Sequence, residues 1–198
     1  MAIPGLNWLP GVRRWHAYNA AIRVAWACHA LQTHDASWVL VDPIGGPADL
    51  GSNDSDRPMV SAVVATNGNH ERAALEWNRE TRVRLWAAPG SGLDSPTWQR
   101  LPLGTGWKDD WVVEDLTGGG PGEVAIRIPS RDLVVFGDAV VNLAGRCLEL
   151  LPDRYCTDPA RLRESIRRLV QTPFARAVFA HGDPIEEGAS LRIGALLR

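Results

Sequence analysis

Apolar residues in this chain come in short, β-branched bursts, and their shortness limits the fold more than any other feature. Val60–Ala65, Val124–Ile128, Leu133–Phe136 and residues 177–180 are four to six residues long. That is about half of the roughly 10–12 residues a helix needs, so each reads as a strand. No polar residue interrupts residues 62–65, which predicts a central strand covered on both faces. Residues 22–31, Trp38–Val41, 83–87 and 111–113 add further strands, and residues 12–43 read as a β meander.

Helical spacing is confined to three places. Asp158-Pro159 followed by Leu162, Ile166, Leu169 and Val170 supplies an N-cap, a first-turn proline and apolar residues at i, i+4, i+7 and i+8. After residues 62–65 come Thr66-Asn67-Gly68-Asn69-His70-Glu71-Arg72 and then Ala73, Ala74 and Trp77, so a loop turns and a helix is expected to start near Asn69. A last amphipathic helix is expected over residues 186–197. Residues 88–110, rich in Gly, Pro, Ser and Trp, read as a long surface loop of the kind that walls a pocket. Two β-rich halves, each closed by helices, predict an α+β fold: two mixed sheets packed face to face with helices outside, αββα, as a single domain over residues 1–198.

Composition narrows the classes of function. With 45% apolar residues, nine Trp and a net charge of -2, the chain is expected to fold in water. No apolar run approaches the roughly 20 residues of a membrane span. Residues 1–10 lack the charged start and apolar stretch of a secretory signal, so a cytoplasmic address is expected. Three cysteines, Cys28, Cys147 and Cys156, are an odd number at irregular spacing and read as buried thiols. Twenty Arg and the single Lys108 are balanced by 23 acids, which leaves no electrostatic footprint for nucleic acid or membrane; the arginine bias suits a GC-rich, bacterial-type genome. The partner this leaves is a small-molecule substrate or ligand, with a homo-oligomer left open.

The order of segments from Val39 onward resembles the metallo-β-lactamase fold superfamily. Val39-Leu40-Val41-Asp42-Pro43 resembles its early strand ending in Asp-Pro-Gly, and Val63-Val64-Ala65-Thr66 the strand that delivers its Thr-His-x-His-x-Asp-His loop. Gly118-Gly119-Gly120-Pro121-Gly122-Glu123 resembles its Gly-His-Thr-Pro-Gly turn, residues 133–139 its strand ending in Gly-Asp-Ala, and residues 178–185 the strand that delivers the final His-Gly. The resemblance implies an αββα sandwich whose loops gather two metal ions, usually zinc, to hydrolyse esters, thioesters, amides or phosphoesters.

The departures decide what such a site can hold. Laid on the signature loop, the first two histidines fall on Asn67 and Asn69, the aspartate on Glu71 and the last histidine on Arg72. The middle histidine falls on Gly119, while the bridging aspartate falls on Asp138 and the final histidine on His181. Dinuclear zinc is therefore not expected, because Asn and Gly lack the imidazole donors that hold it. The resemblance leaves either no metal or one divalent ion, zinc first, on Glu71, Asp138 and His181, with His70 joining if the loop shifts by one residue. Glu71 or Asp138 then acts as base or ligand, and Asn67, Asn69 and Arg72 bind the ligand, Arg72 clamping a carboxylate or phosphate. The alternative is a metal-free binding protein in which the Arg72 guanidinium replaces the ion; an inward Arg72 and a divalent cation at Glu71 and Asp138 are nearly exclusive, since like charges repel.

Overall fold

The computed structural model describes residues 6–20, 23–47, 59–143 and 147–198, with the backbone alone at positions 6 and 7. Ile22, the expected start of one strand, lies outside the described residues. Seven strands form the first sheet in chain order: β1 (Leu6–Leu9), β2 (Val12–Asn19), β3 (Val24–Gln32), β4 (Trp38–Val41), β5 (Val60–Ala65), β6 (Leu85–Ala87) and β7 (Trp98–Arg100). The sheet is antiparallel as far as β4 and parallel beyond it. A second sheet is built from β8 (Val112–Asp115), β9 (Val124–Ile128), β10 (Leu133–Phe136) and β13 (Arg176–Phe179), in the order β13-β10-β9-β8. Between β10 and β13 the chain adds an antiparallel pair, β11 (Val140–Asn142) and β12 (Leu148–Leu150). Among the described residues three α-helices complete the fold: α1 (Ala74–Thr81), α2 (Pro159–Gln171) and α3 (Ala189–Ala195).

The period-two alternation of strand side chains assigns each face to a layer. Val39, Val41, Ala62 and Val64 meet Val113, Ile126, Ile128, Val135 and Val178 of the second sheet in one buried cluster. Their neighbours Trp38, Leu40, Val63 and Ala65 point the other way, onto Ala74 and Trp77 of α1. Phe136 and Phe179, stacked at 5.7 Å, face Leu162, Ile166 and Leu169 of α2 and Ile193 of α3. The layers run α1, sheet, sheet, α2 with α3, which is an α+β sandwich. Each fully buried Val, Leu, Ile or Phe contributes about 1.5–3 kcal/mol. That both faces of β4, β10 and residues 62–65 of β5 are apolar is why these segments show no polar alternation in the sequence.

Three expectations need correction. The helix expected near Asn69 begins at Ala74; Gly68–His70 is a separate 3₁₀ turn capped by Asn67, and Arg72 at φ 41° breaks the path between them. Residues 88–110 are not without regular structure, since Trp98–Arg100 pairs with β6 as an edge strand and Leu103 bridges to Val113. The final helix starts at Ala189 rather than 186, because Ile185 is committed to paired backbone hydrogen bonds with Ala177. Among the described residues no helix is long and apolar enough to cross a membrane.

Candidate metal centre

Four strands end at one edge of the sandwich. Asp42 follows β4, Thr66 follows β5, Asp138 lies two residues past β10 and His181 two past β13. Their backbones are joined across the two sheets: the Ala27 N–H donates to the Ala180 carbonyl at 2.7 Å and the Val124 N–H to the Thr66 carbonyl at 2.9 Å. Side chains at this rim therefore stand on rigid supports from both layers, and the carboxyl ends of parallel strands are a favoured place for ligands.

Three side chains converge there. Nε2 of His70 lies 3.3 Å and Nε2 of His181 lies 3.1 Å from the same oxygen, Oδ1 of Asp138, and the ligand atoms of all three stand within 4.8 Å of one another. Donors at about 2.0–2.1 Å from a tetrahedral ion are themselves about 3.3–3.4 Å apart, so the spacing suits a cation such as zinc. The far sides of both rings are committed elsewhere. Nδ1 of His70 is 2.9 Å from Asp42 Oδ2 and 2.9 Å from Thr66 Oγ1, while Nδ1 of His181 donates to the Ala25 carbonyl at 3.1 Å. With Nδ1 bonded elsewhere, each Nε2 is turned to the shared point, where it donates to Asp138 while protonated and would offer its lone pair to an ion once that proton is lost. The donor set of two imidazoles and one carboxylate thus fits a divalent ion.

Burial and charge act in opposition here. Burial alone would push Asp138 up, but the charge of His70 and the hydrogen bonds from His181 and His70 hold its carboxyl well below the ordinary range. Burial would likewise raise Asp42, which His70, Arg72 and Thr66 hold down; its oxygens accept from the Thr66 N–H at 2.8 Å and the Thr66 hydroxyl at 2.7 Å. Burial would lower His70, yet its position between Asp42 and Asp138 carries it up to about 10. Glu123, buried and beside Asp138, is pushed up to about 8.

The site does not gather every expected residue. Glu71 stands outside the three-residue group, and His70 takes the place expected of it: the tight Gly68–His70 turn carries His70 inward, where it is buried while Glu71 is half-buried. Asn67 is inside and fully buried, its amide 3.2 Å from Asp138 Oδ2 and 2.9 Å from Glu123 Oε2. Asn69 is exposed at the rim and contributes its backbone N–H to Asn67 Oδ1. Arg72 is half-buried and pairs with no carboxylate among the described residues. Its guanidinium donates to the carbonyls of Ala27 at 2.7 Å and Asp42 at 3.0 Å, lies over the Trp26 ring, and brings Nη2 to 3.4 Å from His70 Nε2. Residues 88–110 reach the site through Ser91, which packs against Gly68 and Gly122.

Asp42, Thr66 and Glu123 complete the arrangement without having been expected as site residues. A signal existed for two of them. An acid that closes a wholly apolar strand, as Asp42 does, or opens one, as Glu123 does, sits where burial demands a partner. The carbonyls of Ala25 and Ala27 carry no side-chain signal at all.

No protein-family model matches the sequence, and no curated protein matches it. Solved structures do. The metallo-β-lactamase FIM-1 of Pseudomonas aeruginosa, in a mono-zinc form, superposes with a TM-score of 0.75 at 14% identity, over 100% of this chain and 95% of that one. A metallo-β-lactamase from Erythrobacter litoralis gives 0.74 at 15%, over 96% and 93%. The protein TTHA1623 in a di-iron form gives 0.67 at 21%, over 90% and 98%. The chain has the metallo-β-lactamase fold.

Proposed function

We propose that the chain is a hydrolase-like protein whose centre holds one divalent ion, zinc first, on His70, Asp138 and His181. The observation that carries this reading is the convergence of both Nε2 atoms on Asp138 Oδ1 while both Nδ1 atoms are bonded away from it. The mono-zinc form of one structural neighbour and the di-iron form of another are consistent with a metal at this edge. Two imidazoles and a carboxylate are three donors, which leaves a tetrahedral ion one place for water. Such an ion would supply acidity, bringing the ionisation of water from about 15.7 to near pH 7, which suits hydrolysis of an ester, thioester or phosphoester.

The chain's own residues set the remaining chemistry. Asp42 and Thr66 fix the ring of His70, and the Ala25 carbonyl fixes that of His181. Arg72, anchored on two carbonyls, places fixed positive charge beside His70, where it would attract the carboxylate or phosphate of a small-molecule substrate. Glu71 receives no ligand role, and the lost donors at Asn67, Asn69 and Gly119 limit the centre to one ion.

A metal-free ligand-binding protein is the second reading, favoured by Arg72 Nη2 at 3.4 Å from His70 Nε2, since that charge opposes a cation. Elemental analysis of protein purified without chelator separates the two. About one equivalent of zinc, iron or manganese, lost in His181→Ala and Asp138→Ala, is the expected result. Background metal in the native chain, with no rise in melting temperature on adding zinc, would sink the mononuclear reading.

A further inference from the structure

The two oxygens of Asp138 keep different company. Oδ1 faces both imidazoles, whereas Oδ2 faces the side-chain amide of Asn67 at 3.2 Å. The orientation of that amide is fixed, because Asn67 Oδ1 accepts the Asn69 N–H at 2.9 Å and so Nδ2 must be the end turned to the acids. The second partner of Nδ2 is Glu123 Oε2, at 2.9 Å. Glu123 is held in turn by the backbone: its Oε1 accepts the N–H groups of Asp138 at 2.8 Å and Ala139 at 3.0 Å. Space for this carboxyl comes from three glycines, since a Cβ at Gly119, Gly120 or Gly137 would approach atoms of the Glu123 side chain to 2.8, 3.0 and 2.6 Å. The result is a closed ring from the Asp138 backbone through Glu123 and Asn67 back to the Asp138 side chain, in which Asn67 and Glu123 are buried and stand outside the three-donor group.

We infer that Asn67, held by Glu123, is a positioning residue that keeps Asp138 a one-oxygen donor. This rests on the single-ion reading above and deepens it. A carboxylate can give a cation one oxygen or both, and a second oxygen would fill the place that a catalytic ion keeps for water. The Asn67 amide occupies Oδ2, so Oδ1, the oxygen that faces both Nε2 atoms, is the one left to meet an ion beside the two imidazoles. Glu123 also occupies the room that a side chain at Gly119 would need, so the device that orients Asp138 is the same one that closes the position of a second ion.

Cobalt(II), titrated into the metal-depleted chain, reports coordination number through its visible bands, which are intense for four donors and weak for five or six. The native chain is expected to give an intense spectrum at one equivalent, and Asn67→Ala and Asn67→Asp, which remove the donor to Oδ2, are expected to lose most of that intensity. X-ray absorption on the zinc-loaded native chain needs no variant and is expected to show four light donors with one carboxylate oxygen. An unchanged cobalt spectrum in a folded Asn67→Ala protein, or more than four donors around zinc in the native chain, overturns the inference and leaves the single-ion reading standing. Failure of the native chain to bind cobalt or zinc overturns both.

Discussion

At the scale of single residues, the centre depends on groups that would never touch an ion. Asp42 is 1% exposed and supports His70 from behind, so its removal should act on metal binding through the ring. Asp42→Asn is expected to weaken zinc about 10- to 100-fold, as loss of an outer partner does elsewhere. Competition with a chromophoric chelator measures it, and unchanged affinity would show that His70 needs no such support. His29 makes a separate, pH-dependent contribution. It is fully buried, bonds the Phe179 carbonyl at 3.0 Å, and burial pushes it from 6.5 down to about 4. The unfolded chain therefore binds the extra proton first. Stability is complete above about 6.5 and falls as pH drops toward 4, by on the order of 3 kcal/mol. His70 acts in another window, because its raised value makes its contribution complete below 6.5 and lost as pH climbs through about 10. Urea midpoints at pH 7 and 4.5 test this: His29→Gln should show a smaller drop than the native chain, and an equal drop would remove His29 from the account.

Elements explain why much of the fold was legible and the site only partly so. Strands buried on both faces announce themselves by unbroken apolar runs, and α2 by Asp158, which accepts from the N–H groups of Ala160 and Arg161, ahead of Pro159. The loop at residues 66–72 followed no such rule. Whether His70 or Glu71 enters the site depends on a single 3₁₀ turn, and helical spacing cannot register a turn that hydrogen bonds to Asn67 and Pro121 create. The anchoring of Arg72 on the Ala27 carbonyl was equally hidden, because backbone acceptors from a distant strand leave no mark on sequence. The end of β13 offers a test at this scale. Gly182 sits at φ 98°, and a Cβ there would run into the Asn142 carbonyl, so Gly182→Ala must displace the segment that carries His181. A loss of about 1–3 kcal/mol or more, together with loss of zinc binding, is expected. Gly104→Ala, at φ 69° with open space around it, should lower stability by less and leave the metal untouched. Equal zinc affinity in the two variants would contradict the link between this turn and the centre.

For the molecule as a whole, the centre is a joint between layers. Asp42 and His70 lie on the segments that follow β4 and β5 of the seven-stranded sheet, while Asp138 and His181 follow β10 and β13 of the four-stranded one. The apolar cluster between the sheets holds the layers together without direction, whereas the rim hydrogen bonds from Ala27 to Ala180 and from Val124 to Thr66 set their register. An ion on donors from both sheets would bind only when the layers are docked, so binding and folding must be linked. At a free zinc concentration of 100 times Kd the folded state gains about 2.7 kcal/mol. For a chain of this size each kcal/mol moves the melting temperature by about 2–4 °C, so zinc should raise it by roughly 5–10 °C. His181→Ala, which removes one donor from the four-stranded sheet, should abolish most of the rise, and a chelator should reverse it in the native chain. The unfolded chain keeps its five histidines and three cysteines, which attract zinc without order and would pull the melting temperature the other way. The comparison at equal zinc therefore carries the decision: a rise of the same size in His181→Ala would place the ion elsewhere on the molecule.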